Sequence, residues 1–559
     1  MKQKLLALVM TLAVLVTCIS VVVPTGAVAT YSGGDGTEIN PYIIAGKEDL
    51  IAFAEAVDGD NRYANTYFKL TADIDLGNTE WNPIGGRDPS GAGFHGVFDG
   101  DGHTVSGMKI SGSASTAGHA GLFGSLYGAT VKNLTVKGEI TGTSGTSAAL
   151  IGGLCGVAEN STVIDNVHVY VDINVSSATV AGDVGGIVSR GNTASIKNSS
   201  YTGTIVYTTT ATDQTEMGGL AGACESGSLS IENCRVNVNA TLSQVNSTTL
   251  RLGGVVGKSQ TLSVTDTVVY GNLKGSTSAG AIARIGGVVG NNYGPVTATA
   301  CAFIGTIERL EAGTLNEGGI IGNTDNQNNV LTNCVTNHSK VYYGAASSEN
   351  CVGGIKLTMQ AGAAVRVLTP TGIRFSTEIG KTTYSNLEKA FTADGITIGT
   401  LISPAEYVAA CGDTFTHAAL DSLKAAQSLS EAYKDVRYEA DEWFYEGDTA
   451  YVFTGAIADI LEENYTLKYS GIGYMTIKLS ENTSVTFYAE YDADNARTIQ
   501  EVAYGAYYDR AADDTDGVHL NAIPETSEHF VPGSGAYSPY TESTLAKLKP
   551  LLLGYTPSN

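Results

Sequence analysis

A pair of glycines returns along this chain at nearly constant spacing. IGGLCG occupies 151–156, VGGIVS 184–189, MGGLAG 217–222, LGGVVG 252–257, IGGVVG 285–290 and EGGIIG 317–322, with VGGI at 352–355 and a shorter GLFG at 121–124. The first glycines fall at 152, 185, 218, 253, 286, 318 and 353, so the steps are 33, 33, 35, 33, 32 and 35 residues. A period this steady marks stacked units that each bury a face against the next. Ankyrin and tetratricopeptide repeats share the period, but both need two amphipathic helices per unit. These units are rich in Val, Ile, Thr, Ser and Gly, which disfavour helix and suit short strands. A second segment follows each pair by about a dozen residues, as in SIKNSSYTGTI (195–205), SIENCRVNVNA (230–240) and VTATACAFIGTI (296–307), and it alternates apolar with polar residues.

One strand-rich coil per unit is a parallel β-solenoid, with coils roughly 4.8 Å apart. Right-handed winding is expected, because parallel crossovers are overwhelmingly right-handed. Each glycine pair then recurs at one corner, where a side chain would meet its own copy and where glycine also permits positive φ. The stretch RIGGVVGNNYG (284–294) is therefore read as a corner. A phosphate cradle would need a helix directly after it. Cys234, Cys301 and Cys334 lie 16, 15 and 16 residues after the first glycines of their units, so they share a row. The row is read as small apolar filling of the interior, with a disulfide or metal ladder as the alternative.

The motif G-G-[LIV]-[VIAC]-G, followed by a strand carrying Asn-Cys or Asn-Ser, resembles the GLUG repeats of bacterial secreted and surface proteins over about residues 120–355. That resemblance implies a right-handed parallel β-helix in an adhesin-like protein. GLUG repeats also accompany zinc peptidases that cleave immunoglobulin A. Their chemistry needs H-E-x-x-H, and none of the eight histidines sits in that motif.

Before the repeat, residues 30–119 read as a cap with the first coils. A helix is expected from about Lys47 to Val57, with Leu50, Ile51, Phe53, Ala54 and Val57 on its apolar face. Strands are expected in TYFKLTADIDL (66–76), WNPIGG (81–86) and FHGVFDGDGHTVSGMKI (94–110), in an order that resembles the entry coils of secreted β-helix proteins. Such a cap covers strand edges that an open solenoid would expose. FDGDGHTVSG is similar to Asp-Gly-x-Gly-His segments of pectin-degrading enzymes, which draws attention to Asp99, Asp101 and His103. Glycoside hydrolysis needs two carboxylates at a controlled separation. The further carboxylate motifs of those enzymes are missing between 120 and 355, where charged residues are few, so a turn is the expected role.

Residues 356–559 change character and read as an α+β domain. Expected strands are 364–370, 372–379, 395–403, 451–457, 467–479 and 485–491, and expected helices are 417–434, 455–465 and 496–509. GIRFSTEI (372–379), GTLISPAEYV (399–408) and YVFTGAIADILEENYTLKYSGIGYMTI (451–477) together resemble a C-terminal module of secreted proteins from gut Firmicutes, a likeness that implies location and no chemistry. Tyr469, Tyr474, Tyr488, Tyr491, Tyr507 and Tyr508 concentrate here. Core packing is their expected role, and Tyr488, Tyr491, Tyr507 and Tyr508 are the candidates for stacking on sugar rings. The pairs Asp492/Asp494 and Asp514/Asp516 are candidate calcium ligands, although position six after Asp492 is Arg497 where a calcium loop carries glycine. Solvated turns are the expected alternative. There is no G-x-S-x-G elbow and no P-loop, and Cys411 with His417 forms no catalytic motif.

Lys2 and Lys4, an apolar run from Leu5 to Val23 and Ala27-Val28-Ala29 predict a signal peptide over residues 1–29, with an uncleaved anchor as the alternative. No other segment is apolar enough to span a bilayer. With 56 acidic against 32 basic residues, a net charge of −24 disfavours nucleic acid and anionic membranes as partners. The seven cysteines after residue 29 contain no C-x-x-C pair, against a disulfide framework or zinc site. The leading expectation is a non-enzymatic protein, extracellular or at the cell surface, that binds polysaccharide, cell wall or host glycoprotein without a cofactor. A polysaccharide lyase or glycoside hydrolase on the β-helix and a surface-layer spacer are the alternatives.

Overall fold

The computed structural model describes residues 31–556 apart from 60, 87–92, 112–117, 143–148, 179–180, 279, 312, 367–369, 371, 413, 428–435, 441–442 and 509–547. The predicted signal segment lies outside the described residues. The repeat region is a parallel β-solenoid of about seven turns. A coil consists of a short strand, the glycine pair, a longer strand, a sharp corner and a second long strand. Gly182–Gly185, Val188–Lys197 and Ser200–Thr209 form one, and Glu216–Gly218, Ala221–Glu232 and Arg235–Gln244 the next.

The glycines stack in register, with Gly185 on Gly218, Gly253, Gly286 and Gly318 in turn. They are needed for close approach. A Cβ on Gly287 would lie 2.1 Å from Gly319 O and 2.2 Å from Phe303 Cγ, and one on Gly286 would lie 1.9 Å from Val289 O. Phe303 belongs to an interior row that runs Val169, Tyr201, Val236, Val269, Phe303 through successive coils. The second glycine of each pair lets that row reach the opposite wall.

The expectation of positive φ at the pairs is corrected: the pairs from 152 to 319 do not adopt it. The left-handed corner is the next one along the coil, at Asn133, Asn166, Asn198, Asn233, Asp266, Ala300, Asn333 and Asn350, with φ between 49° and 55°. Asparagine tolerates this region because its short side chain hydrogen-bonds locally. Its amide also links coils, with Asn166 donating to Asn133 Oδ1 at 3.0 Å and Asn233 to Asn198 Oδ1 at 2.8 Å.

The expected cap helix spans Lys47–Asp58 and buries Leu50, Phe53, Ala54 and Val57. Phe53 meets the rings of Phe68, Phe94 and Phe98 at centroid distances of 4.5, 5.2 and 5.7 Å. Ile51 is exposed on the far edge. Beyond the solenoid, Leu357–Met359, Gly372–Gly380, Ala450–Ala458 and Tyr445–Glu446 form one antiparallel sheet. Val436–Ala440, Ile396–Pro404, Tyr469–Lys478 and Ser484–Tyr488 form another. The helix expected over 455–465 is corrected. Residues through Ala458 pair with Gly372–Phe375 as strand, followed by a 3-10 turn at Glu462–Asn464. Pairing along the whole strand outweighs a local helical pattern. Ile398, Met475, Val485 and Phe487 share one apolar cluster with Val268, Ala300, Ala302 and Val335, so this domain packs on the side of the solenoid. Among the described residues, no helix is long and apolar enough to cross a membrane.

Candidate functional site

Asp99, Asp101 and His103 do not converge on one point. Asp99 accepts from Asn133 Nδ2 at 3.0 Å and pairs with Lys132 at 3.2 Å, Asp101 pairs with Lys69 at 3.0 Å, and His103 Nδ1 meets Asp73 at 3.1 Å. Burial alone would raise Asp99, but the hydrogen bonds from Asn133, the Asp101 N–H and Lys132 outweigh it and hold the carboxyl below its usual value. A carboxyl held ionised cannot act as the protonated partner of a glycosidase pair. Asp101 is left-handed at φ 49°, in the turn read from the sequence.

A polar seam, not anticipated from the sequence, runs along the solenoid between the short strands and the strands after the glycine pairs. In-register pairing stacks Leu150, Asp183, Glu216, Arg251, Arg284 and Asn316 in one row. Asp183, Glu216 and Arg251 are only 2%, 4% and 2% exposed. Arg251 Nη1 meets Glu216 Oε1 at 2.5 Å, and its Nη2 donates to Tyr293 Oη. Arg190 pairs with Asp183, Lys258 with Glu225 at 2.8 Å, and Arg284 with Asp325 at 3.0 Å. Four acids face four bases, as charges buried from water require. Asp183, Glu216 and Glu225 could group around a cation. Arg190, Arg251 and Lys258 already occupy their oxygens, so no metal is assigned. Each residue of the row stands two places before the first glycine of its pair. Aligning the repeats on their glycines would have exposed the pattern; counting charges over the whole region hid it.

The cysteine row is more contiguous than expected. Pairing of Ala302 with Val335 and of Val335 with Val352 places Cys301, Cys334 and Cys351 in adjacent coils, while Thr267 separates Cys301 from Cys234. The thiols are free, and those of Cys234, Cys301 and Cys334 lie against backbone carbonyls inside the coil, as an interior filling row would.

Among the tyrosines, Tyr469 and Tyr474 are buried. Tyr488 is half-buried, and its hydroxyl lies 2.8 Å from His417 Nδ1. Tyr491 packs edge-on against Phe415 and borders a surface cleft of about 600 Å³ with Lys356, Met359, Glu490, Asp492 and Asn495. Only the backbone of Tyr507 and Tyr508 is described, at the end of helix Ile499–Tyr508. Asp492 Oδ1 accepts from the Asp494 N–H at 2.9 Å, which makes this loop a turn. Among the described residues, Asp492 and Asp494 join no third acidic ligand in metal-binding geometry. Asp514 and Asp516 lie outside the described residues.

No protein-family model matches the chain. It is 30% identical over 190 residues to halomucin from Haloquadratum walsbyi, a match covering 25% of this chain and 2% of halomucin. It is 33% identical over 152 residues to a putative Gly-rich membrane protein from Evansella cellulosilytica, covering 26% of this chain and 16% of that protein. The chain thus spans a small part of the length of these relatives. Among solved structures, an IgA1 protease is similar over 59% of this chain and 22% of its own, at 18% identity and a TM-score of 0.35. A likeness that distant carries no argument about chemistry.

Proposed function

We propose that this is an exported, non-catalytic surface protein whose solenoid is a rigid support and whose side-mounted domain contacts polysaccharide, cell wall or host glycoprotein. The observation that supports it is the use of the solenoid's charges. Glu216, Glu225, Arg251 and Lys258 satisfy one another in the seam, as Asp183 and Arg190 do, and the lysines of the outer rows pair coil to coil, as Lys109 does with Glu139 and Lys274 with Glu308. Groups committed to coil stacking give stiffness, which suits a long support for extended partners. The cleft at Tyr491 instead combines an aromatic edge with exposed Glu490, Asp492 and Lys356, a mixture that suits hydroxyl-rich ligands. The names of the two relatives agree with a surface setting.

Retention of the full chain on purified cell-wall polysaccharides and mucin-type glycans tests this reading, with the Tyr491→Ala variant beside it. Retention that falls with the variant supports it. Absence of retention on every matrix, or release of reducing sugar from any of them, would overturn it.

A further inference from the structure

A second recess, away from the Tyr491 cleft, is more enclosed and of different chemistry. It has a volume of about 400 Å³ and is walled by Tyr384, Trp443, Phe453, Ile396 and Ile398, with Glu388 as the charged residue of its lining among the described residues. Tyr384 and Glu388 stand one turn apart on helix Lys381–Ala390, a spacing that puts both on one face. Ile396 and Ile398 come from strand Ile396–Pro404, and Phe453 from strand Ala450–Ala458.

The rings make walls at different angles. Tyr384 and Trp443 stand at 84° with centroids 6.4 Å apart, and Tyr384 lies 5.6 Å from Phe453. Tyr451 backs Trp443 at 4.7 Å. On that ring sits an ammonium of the protein itself: Lys381 Nζ lies 5.7 Å from the Tyr451 centroid and is held by Glu446 at 2.6 Å.

Aromatic rings beside a carboxylate complement a cation with an apolar body. We infer that the recess bounded by Tyr384, Glu388, Trp443 and Phe453 binds a small alkylammonium ligand, with Tyr384 and Trp443 beside the cationic head and Glu388 as its counter-charge. This goes beyond surface attachment and is independent of it.

The chain has two tryptophans, and Trp81 is buried in the cap, its indole N–H bonded to Leu122 O at 3.1 Å. Trp443 fluorescence can therefore be followed in the full chain carrying Trp81→Phe, and calorimetry on the unmodified chain gives the same reading should that variant fold poorly. The probes are choline and its uncharged carbon isostere, dimethylbutanol. We expect saturable quenching by choline, with binding about tenfold weaker for the isostere and about tenfold weaker for choline in Glu388→Gln. No saturable response to choline would overturn the inference, as would equal binding of both probes or unchanged affinity in Glu388→Gln. Polysaccharide retention plays no part in this readout, so the two readings stand or fall separately.

Discussion

Ser480 donates its hydroxyl to Asp266 Oδ1 across 214 residues of chain, at a corner where the asparagine ladder is interrupted. The other break is its neighbour Ala300, fully buried in the cluster that joins solenoid and C-terminal domain. Asn333, one coil further, spends its amide on Leu479 O at 3.1 Å. The ladder thus changes residue type where the second domain lies against it. Small side chains at Ala300 and Ala302 let Met475 and Phe487 approach, and Asp266 supplies a polar pin.

Replacing Ala302 by Glu should therefore detach the domain while leaving the solenoid wound, because an unpaired charge in an apolar interface is costly. Limited proteolysis should release a fragment starting near residue 356, and small-angle scattering should show a larger radius of gyration. Asp266→Ala is the milder change, with an expected loss of about 1–2 kcal/mol in urea unfolding. An Ala302→Glu protein as compact and protease-resistant as the parent would contradict this interface.

The left-handed corner gives a contrast within one row. Asn233→Ala should destabilise by about 1–2 kcal/mol, since alanine is strained at positive φ and the amide link to Asn198 is lost. Ala300→Gly relieves the same strain without removing a hydrogen bond, and should raise stability by up to about 1 kcal/mol. Thermal melts of the two variants should move in opposite directions.

Much of this fold was legible because a solenoid writes each contact once per coil. The period of Gly152 to Gly353 located the corner, and alternation in segments such as 230–240 located the strands. The reason for the glycines was only half legible. Stacking was anticipated, whereas the reach of Tyr201 and Phe303 across the coil depends on pairings no local pattern reveals. The C-terminal domain has no repeat, so Gly455–Ala458 read as helix until its partner strand Gly372–Gly380 was in view. The candidate sites were less legible still. Tyr491 was among the candidates, but Trp443 and Tyr384 lie 59 residues apart and become one recess only through folding.

Thiol reactivity follows from burial. The thiolate is the reactive form, and burial holds Cys155 and Cys224 protonated and pushes Cys234 up to about 12. Cys334 is raised well above its usual value, first by its hydrogen bond with Cys301 and then by burial. Alkylation of the native protein followed by peptide mass mapping should label Cys411 first and Cys351 slowly. The five interior cysteines should be labelled only after unfolding. Rapid native labelling of Cys301 or Cys334 would mean that the coils open far more readily than their packing implies.

The seam predicts a pH dependence set by Glu216. Burial raises its carboxyl, the adjacent Asp183 raises it further, and Arg251 and Lys258 offset only part, leaving it at about 8 against an ordinary 4.5. A group whose folded pKa is raised stabilises fully below its unfolded value, and that stability is lost as pH rises through the folded value. The melting temperature should therefore decline between about pH 4.5 and pH 8, and Glu216→Gln, neutral throughout, should flatten the decline. Arg251→Ala leaves the buried Glu216 without its guanidinium partner and should cost about 3–5 kcal/mol, whereas Arg251→Met with Glu216→Met should cost far less, because the pair is removed together. Calorimetric melts of these variants across that pH range check the argument, and a wild-type decline that survives unchanged in Glu216→Gln would assign the dependence elsewhere.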